Sequence, residues 1–227
     1  MLFRSNHPNL SVRTGVLVTR VLFEGRRAVG IEALHQGQRI TLRCSGDVIL
    51  SAGSLQSPQL LELSGIGAAD HLRRIGLPVI HDSHEVGENL QDHYQARTIV
   101  GLREPISLNN QVRSPIGLAR MGLQWVFQAR GPLTVGAGQV GGFACTPHAV
   151  GGRADVQFNV MPLSVDKPGD PLHREAGFTV SVCQCRPESR GSVHVRSANP
   201  AEAPRIQANY LRDRKSTRLN SSHSQQS

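Results

Sequence analysis

Alternating apolar and polar positions dominate the first fifty residues. Three strand patterns follow one another: GVLVTRVLF (15–23), AVGIEAL (28–34) and RITLRC (39–44). Turn residues separate them at 24–27 and at 36–37, so the pattern predicts a β-meander. The next segment, DVILSA (47–52), contains three consecutive apolar residues at 48–50. Such a run is typical of a strand that is covered on both faces in a parallel sheet.

Helical signals follow this strand pattern. The chain turns at Gly53, and Ser57 followed by Pro58 predicts a helix over PQLLELS with Ser57 as its N-cap. Gly65 is the expected end of that helix. A second helix is predicted over AADHLRRI (68–75), and a polar loop, EVGENLQDH, comes after LPVIHD.

From about Gln95 onward the pattern changes. An amphipathic helical stretch covers residues 114–131. Short strand patterns follow, separated by Gly and Pro: DVQFNVM (155–161), GFTVSVCQC (177–185) and GSVHVRS (191–197). This order predicts an α/β region followed by an α+β region with an antiparallel sheet.

Composition excludes several classes of protein. The net charge is +8, but the basic residues are scattered and no basic stripe with interleaved aromatics exists, so we expect no nucleic-acid partner. No apolar stretch reaches the ~20 residues of a membrane span. The four cysteines lack CxxC spacing, which predicts buried free thiols, a reducing compartment and no metal site. We therefore expect a cytoplasmic location.

One glycine motif invites a different interpretation. GAGQVG (136–141) satisfies GxGxxG, but Pro147, Gly151 and Gly152 follow closely, and no helix can start there to face a pyrophosphate. We interpret the motif as a flexible loop. An NAD-binding protein remains the less favoured alternative.

A longer stretch carries a family resemblance. GSLQSPQLLELSGIG (53–67) resembles the second signature of the glucose-methanol-choline (GMC) oxidoreductases: a small pair, Ser-Pro, two apolar residues, and Ser-Gly-apolar-Gly. The flanking segments agree in order: HPNLSVRTGVLVTRVLFEGRRAVGIE before it, then LPVIHDSHEVGENLQDH, GPLT, GGF, PESRGSVHVRSANP and APRIQANYL. The resemblance covers nearly all of residues 5–212.

The resemblance implies FAD as the cofactor and oxidation of a choline-like or other primary alcohol to an aldehyde by hydride transfer to the flavin, with the electron acceptor open. It implies part of a Rossmann-like FAD-binding domain (1–94), a substrate domain on an antiparallel sheet (95–187) and the start of a C-terminal segment (188–212). The family's GxGxxG loop is expected upstream of Met1 and its catalytic histidine beyond the C-terminus. Residues 213–227 resemble a translated sequencing adaptor and are expected to be non-native.

The resemblance also implies eight site residues and no catalytic residue within this sequence. The expected FAD neighbours are Val18, Ala52, Gly53, Asn89 and His93, and the expected substrate-pocket residues are Gln139, Phe143 and Val160. For His93 the alternative is a loop histidine that only completes hydrogen bonds, and for the substrate residues it is ordinary core packing. A non-catalytic binding module, or an inactive fragment, is the alternative function.

Overall fold

The computed structural model describes residues 7–134, 136, 138–167 and 169–212. In this part of the chain, one compact unit (unit 1) comprises residues 7–91 and 190–209, and a second (unit 2) comprises residues 92–189 and 210–212. The functional domains expected from the sequence, with boundaries at 94/95 and 187/188, stay predictions. The expected non-native tail, 213–227, lies outside the described residues.

Strands and helices alternate irregularly along the described chain. In chain order they are β1 (Val16–Glu24), β2 (Arg27–His35), β3 (Gln38–Arg43), α1 (Gly53–Leu63), β4 (Ile66–Gly67), α2 (Ala69–Arg74), β5 (His81–Asp82), β6 (Gln95–Gly101), α3 (Leu108–Arg113), α4 (Pro115–Gln128), a 3₁₀ turn (Pro132–Thr134), β7 (Val140–Ala144), β8 (Val156–Met161), β9 (Gly177–Gln184), β10 (Ser192–His194) and β11 (Arg205–Gln207).

The predicted β-meander is confirmed in unit 1. Strands β1, β2 and β3 form an antiparallel sheet in that order. Gln36 and Gly37, between β2 and β3, both have positive φ (52° and 78°), as a two-residue type I′ hairpin requires. The register shifts between Val18 and Arg20, so a bulge interrupts β1 at Thr19.

The buried strand predicted at 48–50 is wrong. This segment belongs to no described strand, and Ile49 is 83% exposed. An apolar run becomes a strand only when another backbone pairs with it, and none of the described strands does so. In unit 1 the only parallel pair among the described strands is the short one between β4 and β5.

The two predicted helices are present, but the start of the first was misplaced. Helix α1 begins at Gly53, four residues before the expected N-cap. The Ser57 hydroxyl accepts a hydrogen bond from the Ala52 backbone N–H at 3.1 Å, and Pro58 lies inside the helix. Because Pro58 has no N–H, the Ser54 carbonyl lacks its intrahelical donor. The helix ends at Leu63 with Ser64 as its C-cap, and Gly65 follows with a φ of 87°, which confirms Gly65 as the predicted stop signal.

The core of unit 1 joins the meander to the helices and to β10. Its buried apolar side chains include Val21, Ala33, Leu60, Leu63, Leu72, Val193 and Val195. The buried Ser64 hydroxyl accepts from the Val21 backbone N–H at 2.8 Å and donates to the Leu60 carbonyl at 2.5 Å. Ser64 thereby fixes α1 against β1.

Unit 2 contains the predicted antiparallel sheet, with strand order β6-β9-β8-β7. The strand predicted at 191–197 does not belong to it, because β10 pairs with β11 in unit 1. The expected helix over 114–131 is α4, and its N-cap Ser114 accepts a hydrogen bond from the Gly117 backbone N–H at 3.2 Å. The sequence analysis missed β6, β7 and α3. The central strand β9 buries Thr179, Ser181 and Cys183 on one face.

The GAGQVG motif is partly a strand, which corrects the predicted loop. Val140 and Gly141 begin β7 and pair with Val160 and Asn159 of β8. Strand β7 continues past the motif to Ala144, whereas a dinucleotide loop requires a helix at that place. Residues 135 and 137 lie outside the description.

Two further observations concern thiols and membranes. In the described chain all four cysteines are free; Cys183 is buried, whereas Cys44 and Cys145 are exposed, contrary to the expected burial. None of the described helices combines the length and the apolar character needed to cross a bilayer.

Candidate functional site

A cleft in unit 1 brings together two of the segments expected to contact a cofactor. It has a volume of about 220 Å³. Its lining residues come from the start of α1, from the loop before unit 2 and from β10: Ser54, Pro58, Gly87, Glu88, Asn89, Leu90, Gln91 and Val193. Drug-sized ligands usually occupy ~300–1,000 Å³, so this cleft has room for only part of a dinucleotide.

Gly53, the residue before the cleft-lining Ser54, has open space beside it. Its φ is +87°, a left-handed conformation that favours glycine, and a Cβ placed there would meet nothing within 4 Å. Helix α1 has no side-chain N-cap and no acidic residue in its first turn. Its positive end is therefore available to a negatively charged or hydrogen-bond-accepting group.

Gly87 holds the loop against β10. Its carbonyl accepts a hydrogen bond from the Val193 N–H at 2.7 Å, and its φ is +85°. An added Cβ would lie 2.3 Å from the Val193 carbonyl oxygen and 2.8 Å from the His194 ring. Leu90 and Gly191 exchange two backbone hydrogen bonds, at 2.9 and 2.8 Å. The loop side of the cleft is thus fixed by backbone contacts that require glycine.

Asn89 lines the same cleft in a left-handed conformation, with φ of 61°. Its side-chain amide donates to the Glu85 carboxylate at 3.2 Å. That bond orients the amide, while the residue itself remains exposed.

The other expected FAD neighbours lie elsewhere. Val18 is half-buried in β1 opposite Ala33 and is not among the lining residues of the cleft. Ala52 immediately precedes α1, and its N–H is already bonded to Ser57. The structure therefore places Asn89 in the wall of the cleft, Gly53 directly before its lining residue Ser54, and Val18 on the meander.

His93 belongs to unit 2. Its Nε2 lies 3.2 Å from the Cys185 carbonyl oxygen, which can only accept, so Nε2 carries the proton. Its Nδ1 lies 3.8 Å from the Cys183 sulfur. Burial, followed by the neighbouring Cys185, raises the pKa of the Cys183 thiol, so the thiol stays protonated and can donate to Nδ1. These contacts are those of a histidine that completes local hydrogen bonds.

The expected substrate residues divide between two faces of the unit 2 sheet. Gln139 lines a cavity of about 380 Å³ together with Ile106 and Pro162, and its N–H donates to the Val160 carbonyl at 3.2 Å. Phe143 pairs with Gln157, whereas Val160 pairs with Val140. Because side chains alternate along a strand, Phe143 and Val160 point to opposite faces. The structure therefore joins Gln139 to Val160 through a backbone hydrogen bond only, and places the Phe143 and Val160 side chains on opposite faces of the sheet.

A tyrosine pair in unit 2 was not anticipated. The Tyr210 hydroxyl donates to the Asp92 carboxylate, and the Tyr210 and Tyr94 rings lie 5.5 Å apart. The hydrogen bond to Asp92, and then burial, raises the pKa of Tyr210. These residues line a small, mainly apolar cavity of about 30 Å³.

Sequence reasoning also missed a charged cluster in unit 1. Glu62 is completely buried, and its carboxylate lies 2.8 Å from His194 Nδ1. Glu88 lies 2.9 Å from the other ring nitrogen of His194. Burial alone lowers the pKa of His194, but the hydrogen bonds to Glu62 and Glu88 outweigh it, so the pKa lies above its ordinary value. A glutamate inside the apolar run LLEL was the available signal.

Solved structures establish the class of fold. A formate oxidase variant of Aspergillus oryzae superposes with a TM-score of 0.85 at 23% identity, covering 96% of this chain and 44% of that enzyme's chain. Pyridoxine 4-oxidase from Mesorbium loti gives a TM-score of 0.73 at 21% identity, with coverage of 96% and 40%. The expected fold class, a mixture of helices and strands with an antiparallel sheet in the second unit, is confirmed.

Sequence relatives define the family. Residues 2–95 match the family model described as GMC oxidoreductase. Mitochondrial choline dehydrogenase of Mus musculus is 39% identical over 91% of this chain, and an alcohol dehydrogenase [acceptor] of Pseudomonas putida is 36% identical over 92%. The chain belongs to the GMC oxidoreductase family. It spans 34% and 38% of the length of these two relatives.

Proposed function

We propose that the chain forms part of an FAD-dependent oxidoreductase that acts on the CH–OH group of a choline-like or other primary alcohol. Family membership and two relatives named for choline and alcohol oxidation support this function. The observation that carries it in the structure is the unit 1 cleft between the start of α1 and the Asn89 loop.

The residues around this cleft fit one portion of a flavin nucleotide. The open space beside Gly53 allows close approach of the backbone, and the uncapped end of α1 suits a phosphate or carbonyl oxygen. The oriented amide of Asn89 supplies a polar group on the opposite wall. When bound, FAD supplies the chemistry by accepting the hydride from the alcohol carbon.

The remaining assignments complete the proposal. Val18 and Ala52 contact FAD through their backbone, His93 helps to position the loop near it, and Gln139, Phe143 and Val160 border the alcohol. None of the described histidines is assigned as the catalytic base. We retain a cytoplasmic location because all four cysteines are free, and we leave the electron acceptor open.

The test uses the product of the reading frame extended on both sides in the source DNA. We expect this protein to purify with bound flavin, visible as a yellow absorbance, and to rebind FAD after its removal. Gly53→Val should weaken FAD rebinding at least tenfold, because the side chain fills the open space beside the first turn of α1 and opposes the positive φ.

Gly37→Val is the matched control. Gly37 also has a positive φ and open space around it, but it lies in the hairpin between β2 and β3. FAD affinity should stay unchanged in this variant. A folded product that is colourless and refuses FAD would overturn the proposal and favour a non-catalytic binding module.

A further inference from the structure

Glu62, His71 and His194 offer three ligand atoms to one point in unit 1. These atoms all lie within 4.8 Å of one another. The residues come from α1, α2 and β10, so the fold gathers them from places far apart in the sequence. We propose that they form a Zn²⁺ site, contrary to the absence of a metal site predicted from the cysteine pattern.

The hydrogen bonds assign a proton to Nε2 of each histidine and orient the Glu62 carboxylate. His71 Nε2 is 3.0 Å from the Val195 carbonyl oxygen, so Nε2 carries the proton and Nδ1 of the neutral ring has a free pair. Glu62 Oε2 accepts the Val195 N–H at 2.8 Å, which leaves Oε1 toward His194. The backbone of Val195 thus orients two of the three ligands.

His194 has the same arrangement. Its Nδ1 faces Glu62 Oε1 at 2.8 Å, and its Nε2 faces Glu88 Oε1 at 2.9 Å. With Nε2–H donated to Glu88, Nδ1 becomes available to a metal once the ion displaces the proton that Nδ1 donates to Glu62. Histidine ligands in metalloproteins usually donate their second N–H to a carboxylate or a backbone carbonyl. His194 and His71 have one partner of each kind.

The donor set and its dimensions suit zinc. Two imidazole nitrogens and one carboxylate oxygen form a common three-ligand zinc set, with bonds of about 2.0–2.2 Å. Tetrahedral ligands at that distance lie roughly 3.3 Å apart. Glu62 Oε1 and His194 Nδ1, 2.8 Å apart, are already closer than this. The ligand atom of His71 lies within 4.8 Å of both, so a modest inward rotation of its side chain would bring it to the ion. The ion would replace the proton that Glu62 and His194 share.

The site would tie together parts of the chain that contact each other only in the folded state. Glu62 and His194 are separated by 132 positions. Glu62 is fully buried, and the His194 side chain is 23% exposed, so the ion would lie at the margin of the core. The ion would therefore have a structural function, although Glu88, which orients His194, also lines the proposed FAD cleft.

The experiment uses the tag-free 227-residue chain, stripped with EDTA and dialysed against Zn²⁺ alone. We expect one zinc per chain and a higher midpoint of thermal unfolding with zinc than without it. His71→Asn should weaken zinc binding at least 100-fold. Glu88→Gln retains all three ligands and should weaken binding roughly 10- to 100-fold, as the loss of an orienting carboxylate does elsewhere.

His84→Asn is the matched control. His84 also lies near a carboxylate, with Nε2 3.6 Å from Asp82, but it is exposed and outside the cluster. Zinc affinity should be unchanged in this variant. Cobalt provides a second readout, since Co²⁺ in a tetrahedral site gives intense visible absorption. The proposal fails if the chain takes up no stoichiometric zinc, or if His71→Asn and Glu88→Gln both bind it as tightly as the parent.

Discussion

Each unit contains a completely buried polar side chain that links distant segments, a charged one in unit 1 and a neutral one in unit 2. Glu62 and Asn109 are both completely buried. Glu62 holds β10 through His194 and the Val195 N–H. Asn109 holds the segment that precedes β9. The two residues have the same architectural role with different chemistry.

Backbone groups supply most of the partners of Asn109. Its amide nitrogen lies 3.1 Å from the carbonyls of Ser164 and His173 and 2.8 Å from the Ser164 hydroxyl. Its Oδ1 accepts the Ser164 N–H at 3.0 Å. The amide needs no partner of opposite charge. The Glu62 carboxylate, by contrast, depends on His194 to offset the cost of burying its charge.

The difference predicts unequal consequences of mutation. A typical neutral hydrogen bond contributes about 1 kcal/mol net, whereas disrupting a buried ion pair by removing one partner costs about 3–5 kcal/mol. Unit 1 should therefore be more sensitive than unit 2 to the loss of its linking residue.

The largest effect is expected for Glu62→Ala. Measured with EDTA present, the free energy of unfolding of unit 1 should fall by about 3 kcal/mol, because His194 loses one of its two carboxylates and the Val195 N–H loses its acceptor. Urea titration followed by circular dichroism measures the change. Glu62→Gln keeps an acceptor for Val195 and should cost less. A loss below ~0.5 kcal/mol for Glu62→Ala would remove the distinction between the units.

A smaller loss is expected for Asn109→Ala, about 2 kcal/mol in the unfolding of unit 2, because buried groups of Ser164 and His173 lose their partner. The same urea titration applies. Asn110→Ala is the control, since Asn110 Oδ1 accepts only from the Ser107 hydroxyl among the described side chains. If both alanine variants lose equal stability, the network around Asn109 has no special role.

The smallest effect concerns an exposed charge cluster on the meander. Burial raises the pKa of Glu32, but the hydrogen bond and charge of Arg20 and the charge of Arg39 bring it below its ordinary value of 4.5. A lowered pKa stabilises the folded state above the unfolded value, and this contribution is lost as pH falls from about 4.5 through the lowered pKa.

Because both arginines are largely exposed, the contribution of Glu32 should stay below ~1 kcal/mol. We expect Glu32→Gln to remove that part of the loss of stability below pH 4.5, measured by thermal unfolding over a pH series. High salt should reduce the difference between parent and variant. A larger acid sensitivity in Glu32→Gln than in the parent would contradict the sign.

Local patterns predicted the meander well. Period-two alternation and the residues at 36–37 specify strands and a turn within a few positions, so β1 to β3 follow from sequence alone. The segment at 48–50 shows the limit of the same reasoning, since apolar character indicates burial but supplies no pairing strand. The early start of α1 depended on Ser57 accepting from Ala52, a contact that propensity does not describe.

The candidate site was predictable only in part. The family signature pointed to the start of α1 and the ENLQDH segment to Asn89, and Ser54 and Asn89 from these two segments line one cleft. The cluster of Glu62 with His194 depends on a contact across 132 positions, which no local pattern encodes. The sequence also could not show which face of the unit 2 sheet each side chain occupies. The strand register places Phe143 and Val160 on opposite faces.

The paired backbone of Leu90 and Gly191 has a consequence for synthesis on the ribosome. Unit 1 is interrupted there by residues 92–189, so its last strands emerge late. At roughly 5–20 residues per second, translating the interruption takes on the order of 5–20 s. During that interval the nascent helix α1 holds a carboxylate whose histidine partner has not yet been made. Chaperones would therefore meet an unfinished first unit beside a second one that is free to fold.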